Sequence, residues 1–580
     1  MENRLIVLWL LLLNLGACLG AQYYVSPTGN DASSGTLQSP WRTAEKAQAV
    51  VQPGDTVYFR GGVYTNSATG AAWAHIRTRS GTANAPITFK AYPGEKPMIV
   101  GVTNGFSTPS GIAVYNLSHY IIDGFSVSNA NFGIVINGST NCTVQNCEVQ
   151  NCWAIGATLN GGSSNILRNC RVFNTSLYCW PRIYASWAGG ITCTSTDSLV
   201  ENCVAYFIHG EGILICNGRN SAIRNCIVSD TFRTKIYIEA QNALIENNIL
   251  YSSQSNPHLN TNWDNRFPER IYGGGVELAQ EQIDSPGRLQ IAGLKGTRVI
   301  NNLIICTDWP IMGDKSSHNI TNYVFSDLLF VNNTCIDFQS CGFSDSTYSA
   351  NNYSPWGGNV FFVNSLMLSP VRNVRMFVIS AVTNGFTLGN NIYNFNSQGL
   401  FMWAPTPAGA TYITCNTSNP SALTNWMLRS GETNAGPFAS RWYGDTNIAN
   451  NIIPDVWRKA YSMPRLWQTN GGTPPDIDID AVFADLSNCS NRIVALRRQL
   501  AEPFRPINTA GNPALHAGRL LPTWKYLTDD GLPKTVSPIT TDLLGSLRSG
   551  NPTVGALEPA AEGASSVSAP SGLRVLSAAP

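Results

Sequence analysis

The sequence predicts an all-β fold, a single-stranded parallel β-helix (solenoid) with an N-terminal capping helix and long loop insertions. Three observations carry this. Asn146, Asn169, Asn202, Asn225, Asn247 and Asn301 each follow a Val, Leu or Ile by two residues, and the first four directly precede a cysteine. These Asn positions lie 23, 33, 23, 22 and 54 residues apart, which is a repeat of about 23 residues carrying two insertions. Each coil has a second apolar strand before its Asn, as in Gly133 to Ile136, Gly156 to Leu159, Gly212 to Ile215 and Ile236 to Ile238. Such short β-rich runs between Asn, Gly and Ser turns are strands, not helices. Composition agrees: 13% of the 580 residues are charged and 51 are Gly, against a usual charged fraction of ~25%.

The chain opens on an export leader. Arg4 precedes the apolar run Leu5 to Leu13, and small residues end at Leu19-Gly20-Ala21, so cleavage after residue 21 and a secreted or cell-surface protein are expected. Leu15 to Cys18 also fits a lipoprotein box, with a lipid anchor on Cys18 as the alternative. No later run reaches the ~18 apolar residues that a membrane span requires. Residues 22–559 form the β-helix domain, with irregular insertions around 343–475 that include a short helical stretch from Pro454 to Tyr461. Residues 560–580, rich in Ala, Ser and Pro, read as a linker-like tail.

One coil cannot bury its inner face alone, whereas stacked coils share a core. Asn at a fixed coil position then stacks at the strand spacing of about 4.8 Å, so the Asn column is structural. Cys147, Cys170, Cys203 and Cys226 share one column, and Cys193 and Cys216 are assigned to another because each lies nine residues before its coil's Asn. An inward stack of free thiols, each acting as a small apolar side chain, is preferred over disulfides. Lys plus Arg total 37 and Asp plus Glu 36, for a formal charge of +1, so the basic field that nucleic acid requires is missing.

Tyr23 to Asp31, Ser39 to Thr43 and Pro53 to Tyr64, with Phe504 to Pro506, Asn512 to Gly518, Asp542 to Arg548 and Val554 to Glu558 at the far end, resemble the secreted right-handed parallel β-helix proteins of the pectate-lyase-like superfamily. The resemblance implies a helix from Thr43 to Val51 plugging the first coil and a terminal coil at 504–559. It also implies carbohydrate chemistry, although that superfamily includes lyases, glycosidases, epimerases and adhesins.

Function on such a scaffold belongs to outward side chains and inserted loops. With Ile236 and Ile238 inward, alternation sends Lys235, Tyr237 and Glu239 outward. Matching Val276 and Leu278 to that pair places Glu277 beside Tyr237. The preceding coil adds His209 and Glu211, and the turn between them adds Asp230 and Arg233. The insertions Tyr178 to Trp187 and Ser252 to Tyr272 border this face. The second brings Trp263, Arg266, Arg270 and Tyr272, whose aromatic and guanidinium groups suit sugars and carboxylates.

Three functions fit these residues. A polysaccharide lyase cleaving an acidic polysaccharide by β-elimination would use Lys235 as base and Tyr237 or His209 as acid. Arg233, Arg266 or Arg270, or Ca²⁺ held by Glu239 and Glu277, would neutralise the uronate carboxylate. A glycoside hydrolase would pair two of Glu211, Glu239, Glu277 and Asp230. A non-catalytic surface or adhesion protein needs only the repeat. The expected partner is a polysaccharide, and the chain is expected to act as a monomer.

Overall fold

The computed structural model describes residues 20–560 except 66–71, 102–108, 180–188, 254–272, 280–293, 315–324, 346–357, 370–374, 381–385, 396–397, 405–410, 417–439, 444–445, 467–476, 521–522, 528–531 and 549. Most of the leader, the lipid-anchor position Cys18, the linker-like tail, and Trp263, Arg266, Arg270 and Tyr272 lie outside the described residues.

Among the described residues the chain winds through three 13-stranded sheets, visiting them in rotation between the first and last coils. Sheet I runs from Gln22–Val25 to Phe386–Gly389, sheet II from Gly62–Thr65 to Arg441–Tyr443, and sheet III from Ala72–Ile76 to Gln398–Ala404 with Thr411–Asn416 added antiparallel. Every other pairing in these sheets is parallel, as in Val144↔Leu167, Leu167↔Val200 and Val200↔Ile223. This inner column continues through Ile245, Val299, Phe330 and Phe362 to Leu388, all buried. Full burial of each such side chain contributes about 1.5–3 kcal/mol, and the rows repeat because every coil presents its apolar residue at the same place.

Helix α1 (Ala44–Val50) is N-capped by Thr43, whose hydroxyl accepts the Lys46 N–H at 3.1 Å. It lies against the first strands of sheets I and III and adds Ala44 and Ala47 to the inner core. Membrane crossing finds no support in the helices: no described one is long and apolar enough.

The corner between sheets I and II explains the Asn repeat. Asn146, Asn169, Asn202, Asn225, Asn247, Asn301, Asn332, Asn364 and Asn390 all have φ between 52 and 58, the left-handed region that Asn tolerates better than other non-glycine residues. Amides bridge successive coils: Asn169 Nδ2 donates to Asn146 Oδ1 at 3.3 Å and Asn202 Nδ2 to Asn169 Oδ1 at 2.7 Å. The next position in each coil points inward and holds Cys147, Cys170, Cys203 and Cys226, then Asn248, Asn302 and Asn333. These four thiols are buried and free. Cys193 and Cys216 do not share a column, however. Cys193 pairs with Ile215 in the inner core, whereas Cys216 pairs with Glu239 on the outer face; a one-residue offset along a strand reverses the face.

Two expectations are corrected. Within the segment expected to be irregular, the described strands Val360–Val363, Leu366–Ser369, Phe386–Gly389 and Ile392–Phe395 continue the sheets in register. Residues 504–558 do not form a terminal coil: described residues after Tyr443 add no strand to the three sheets. They lie along the flank, because sheet II is apolar on both faces. Its outer residues Val204, Tyr206, Ile227, Ile249, Tyr251, Leu303 and Ile305 form a second core with α2 (Thr446–Ile452), α3 (Val456–Tyr461), α4 (Ile479–Val482) and α5 (Cys489–Ala501). A parallel strand buried on both sides reads as a continuous apolar run, as Leu303 to Ile305 does. Beyond α5, Arg548 is buried with its guanidinium on Glu558, the Gly555 carbonyl at 2.7 Å and Asn301 Oδ1 at 3.3 Å.

Candidate active site

The candidate residues gather where sheet II turns into sheet III. Each coil enters sheet III through one corner position, held in successive coils by Gly111, Gly133, Gly156, Gly190, Gly212, Lys235 and Gly275. A Cβ on Gly133, Gly156 or Gly212 would collide with Val149, Val172 or Val228, which belong to the inner core. Side chains in this column therefore point into the corner, away from the outer face. Lys235 alone puts a long side chain among these glycines, and it is 0% exposed. Its Nζ donates to Ser252 Oγ at 2.7 Å and to the Gly273 carbonyl at 3.2 Å. Burial pushes its pKa down to about 8, opposed by the charges of Asp230, Cys306 and Asp308. The outward placement expected for Lys235 is thus corrected: period-two alternation fails where the backbone rounds the corner.

Tyr237 and Glu277 meet as expected. They are direct register partners on adjacent strands, and Tyr237 packs with Leu214, Cys216 and Ala279 in a cluster separate from the inner core. Glu239 follows Tyr237 by two residues on the same face. A strand spacing of ~4.8 Å and two residues of rise put the Glu239 and Glu277 backbones about 8 Å apart. Although on the outer face, all three side chains are at most 7% exposed, and Glu211, the register partner of Gly189 one coil earlier, is equally enclosed.

His209 is a structural imidazole. Asn174 Nδ2 donates to Asn151 Oδ1 at 2.7 Å, leaving Asn174 Oδ1 to accept from His209 Nε2 at 3.0 Å. Burial lowers its pKa to about 4, so near neutral pH it carries no imidazolium proton to give as the expected acid. Asp230 is likewise removed from the list of hydrolytic carboxylates. It is fully buried at φ 50 and accepts the Ser253 N–H at 2.8 Å and its hydroxyl at 3.2 Å. Arg233 is half-buried between the sheet II strand Ile227–Thr231 and Lys235. The bonding of Ser252, Ser253 and Gly273 to Lys235 and Asp230 was not foreseen from the sequence. Aligning Lys235 with the glycines that open the neighbouring strands was the signal that could have found them.

Calcium takes 6–8 oxygen ligands. Among the described residues no three His, Cys, Asp or Glu side chains converge to hold a metal, and Glu239 with Glu277 offers only two carboxylates. The chemistry below is written on protein groups.

Residues 23–177 match the family model of the Pel9A-like right-handed β-helix region. Pectate lyase PEL9 of Emericella nidulans is 38% identical over 94 residues, 16% of this chain and 22% of that one. The uncharacterized protein YwoF of Bacillus subtilis is 31% identical over 133 residues, 21% of this chain and 27% of that one. The chain thus spans about a quarter of the length of these curated relatives. The crystal structure of pectate lyase Pel9A superposes with a TM-score of 0.35 at 16% identity, covering 54% of this chain and 80% of that one. The Pel9A-like region ends ahead of Glu211, Tyr237, Glu239 and Glu277, so the match bears on the scaffold and leaves the candidate site untouched.

Proposed function

We propose that the chain is a carbohydrate-active enzyme, a polysaccharide lyase that cleaves an acidic polysaccharide by β-elimination on the outer face of sheet III. The observation that carries this is the direct pairing of Tyr237 with Glu277. Elimination removes the proton beside the uronate carboxyl, breaks the C4–O bond and leaves an unsaturated sugar, while the departing oxygen takes up a proton. The Glu277 carboxylate takes the proton from C5, the Tyr237 phenol gives its proton to the departing oxygen, transfer of the proton from Glu277 to Tyr237 restores both groups, and Arg233 is the cation facing the uronate. The likeness of the first coils to a relative named as a pectate lyase supports the substrate class. Lys235, engaged with Ser252 and Gly273, is not the base in this scheme.

One observation favours hydrolysis as a second reading. Glu239 and Glu277 lie on the same face of adjacent strands, which gives an inverting glycosidase two neighbouring carboxylates to use as acid and base. Incubating the purified protein with acidic and neutral polysaccharides tests both. Ultraviolet absorbance from an unsaturated product together with new reducing ends supports elimination, reducing ends alone support inverting hydrolysis, and the absence of both overturns the enzymatic proposal.

A further inference from the structure

We propose that Lys235 and Asp230 form a clamp that pins both ends of the insertion at residues 254–272 to the corner between sheets II and III, making Lys235 a positioning residue. This does not depend on the function proposed above. The outgoing end of the insertion is Ser252-Ser253. Asp230 Oδ1 accepts the Ser253 backbone N–H and hydroxyl, at 2.8 and 3.2 Å, and Lys235 Nζ donates to Ser252 Oγ at 2.7 Å. The returning end is Gly273-Gly274-Gly275, and the same Nζ donates to the Gly273 carbonyl at 3.2 Å. One ammonium therefore joins the last residues before the insertion to the first residue after it.

The chemistry of the side chain explains the choice. An ammonium offers three donors at one point, so it can hold acceptors from two chain segments at once; the glycines elsewhere in this column have no reach. Asp230 sits five residues earlier, near the end of the sheet II strand Ile227–Thr231 and in the left-handed conformation, with its carboxylate on Ser253. The returning glycines complete the fit. A Cβ would collide with the Arg233 carbonyl at Gly273, with the Trp309 ring at Gly274 and with the Pro310 carbonyl at Gly275, so the returning leg lies flush against the neighbouring coils. Its register is set by Lys235 N–H donating to Gly274 O at 2.9 Å and Ile236 N–H to Gly275 O at 3.0 Å. Both legs are fixed by two side chains five residues apart on either side of the corner.

Limited trypsin digestion of the native full-length protein tests the clamp, because Arg266 and Arg270 place cleavage sites within the insertion. Lys235→Met keeps the length and removes the donors. It should speed cleavage at Arg266 or Arg270 roughly tenfold or more, since the charge-assisted hydrogen bonds that tie Ser252 to Gly273 are lost. Ser252→Ala, which removes one acceptor and adds no bulk, should give a smaller acceleration at the same bonds. Wild-type cleavage rates in both variants overturn the clamp. So does parallel acceleration at Arg224, inside the sheet I strand Ala222–Arg224, which would report global unfolding. If Lys235→Met abolishes polysaccharide turnover while cleavage stays at the wild-type rate, the lysine acts on substrate and the clamp is again rejected.

Discussion

Tyr237 and Glu277 stand side by side on adjacent strands of sheet III although 40 residues separate them in the chain. The coil between them carries the insertion at 254–272, so the contact exists only because the strand after the insertion returns to register. A phenol beside a carboxylate on an enclosed face supplies a route for moving a proton.

Tyr237→Phe therefore lowers turnover of an acidic polysaccharide by about 10²–10⁴-fold, the usual contribution of a general acid or base. Glu277→Gln follows it in direction. Thermal unfolding of Tyr237→Phe stays near wild type, since the ring still fills the space among Leu214, Cys216 and Ala279. Turnover retained in both variants places the reaction elsewhere.

His209 makes the protein acid-sensitive. Its folded pKa, lowered to about 4, lies below its ordinary 6.5, so the unfolded chain binds a proton first as pH falls. The stability contributed is fully present above pH 6.5 and is lost progressively toward pH 4, by up to roughly 3 kcal/mol. Denaturant midpoints across this window should fall for the wild type and fall less for His209→Gln.

Lys235 acts in the opposite range. Burial lowers its pKa to about 8, so between pH 8 and roughly 10.4 the unfolded chain carries a proton that the folded chain has released, and stability from this group rises with pH. Below pH 8 the burial penalty is constant. Lys235→Met should remove the alkaline rise seen in urea titrations; a rise of equal size in the variant assigns it to another group.

The thiols of Cys147, Cys170, Cys203 and Cys226 should react as free cysteines once the protein is denatured without reductant. Burial holds Cys170 and Cys203 well above the ordinary thiol pKa, so the folded protein should react slowly at the same positions. Peptide mapping that recovers these residues as disulfides rejects the inward thiol column.

Arg548 locks the C-terminal flank onto the Asn corner. Arg548→Ala leaves the Glu558 carboxylate without its buried cation and should destabilise the protein by about 3–5 kcal/mol. A loss below ~1 kcal/mol in equilibrium unfolding would show that the flank contributes little to the solenoid.

The coil repeat was legible in the sequence because the I–II corner demands a left-handed backbone in every turn and Asn meets that demand at low energetic cost. The apolar columns, the inward thiols from Cys147 to Cys226 and the Tyr237–Glu277 pairing followed from the same period. The flanking helix α5 was also written in the sequence, through Ile493, Leu496 and Leu500 on one face, but it was overlooked beside the expectation of another coil.

The faces of Lys235, Cys216 and Asp230 were decided only by tertiary structure. Alternation along an ideal strand assigns a face to each residue, but at a corner the backbone leaves the strand geometry and neighbouring coils settle where a side chain can fit. The sequence determined the repeat, the inner core and the gathering of carboxylates on sheet III, since those depend on local period and on contacts that recur in every coil. Folding decided that Lys235 turns inward to Ser252 and Gly273 and that sheet II is sealed by the chain's own C-terminal helices, since these depend on contacts made once, between segments with no shared period.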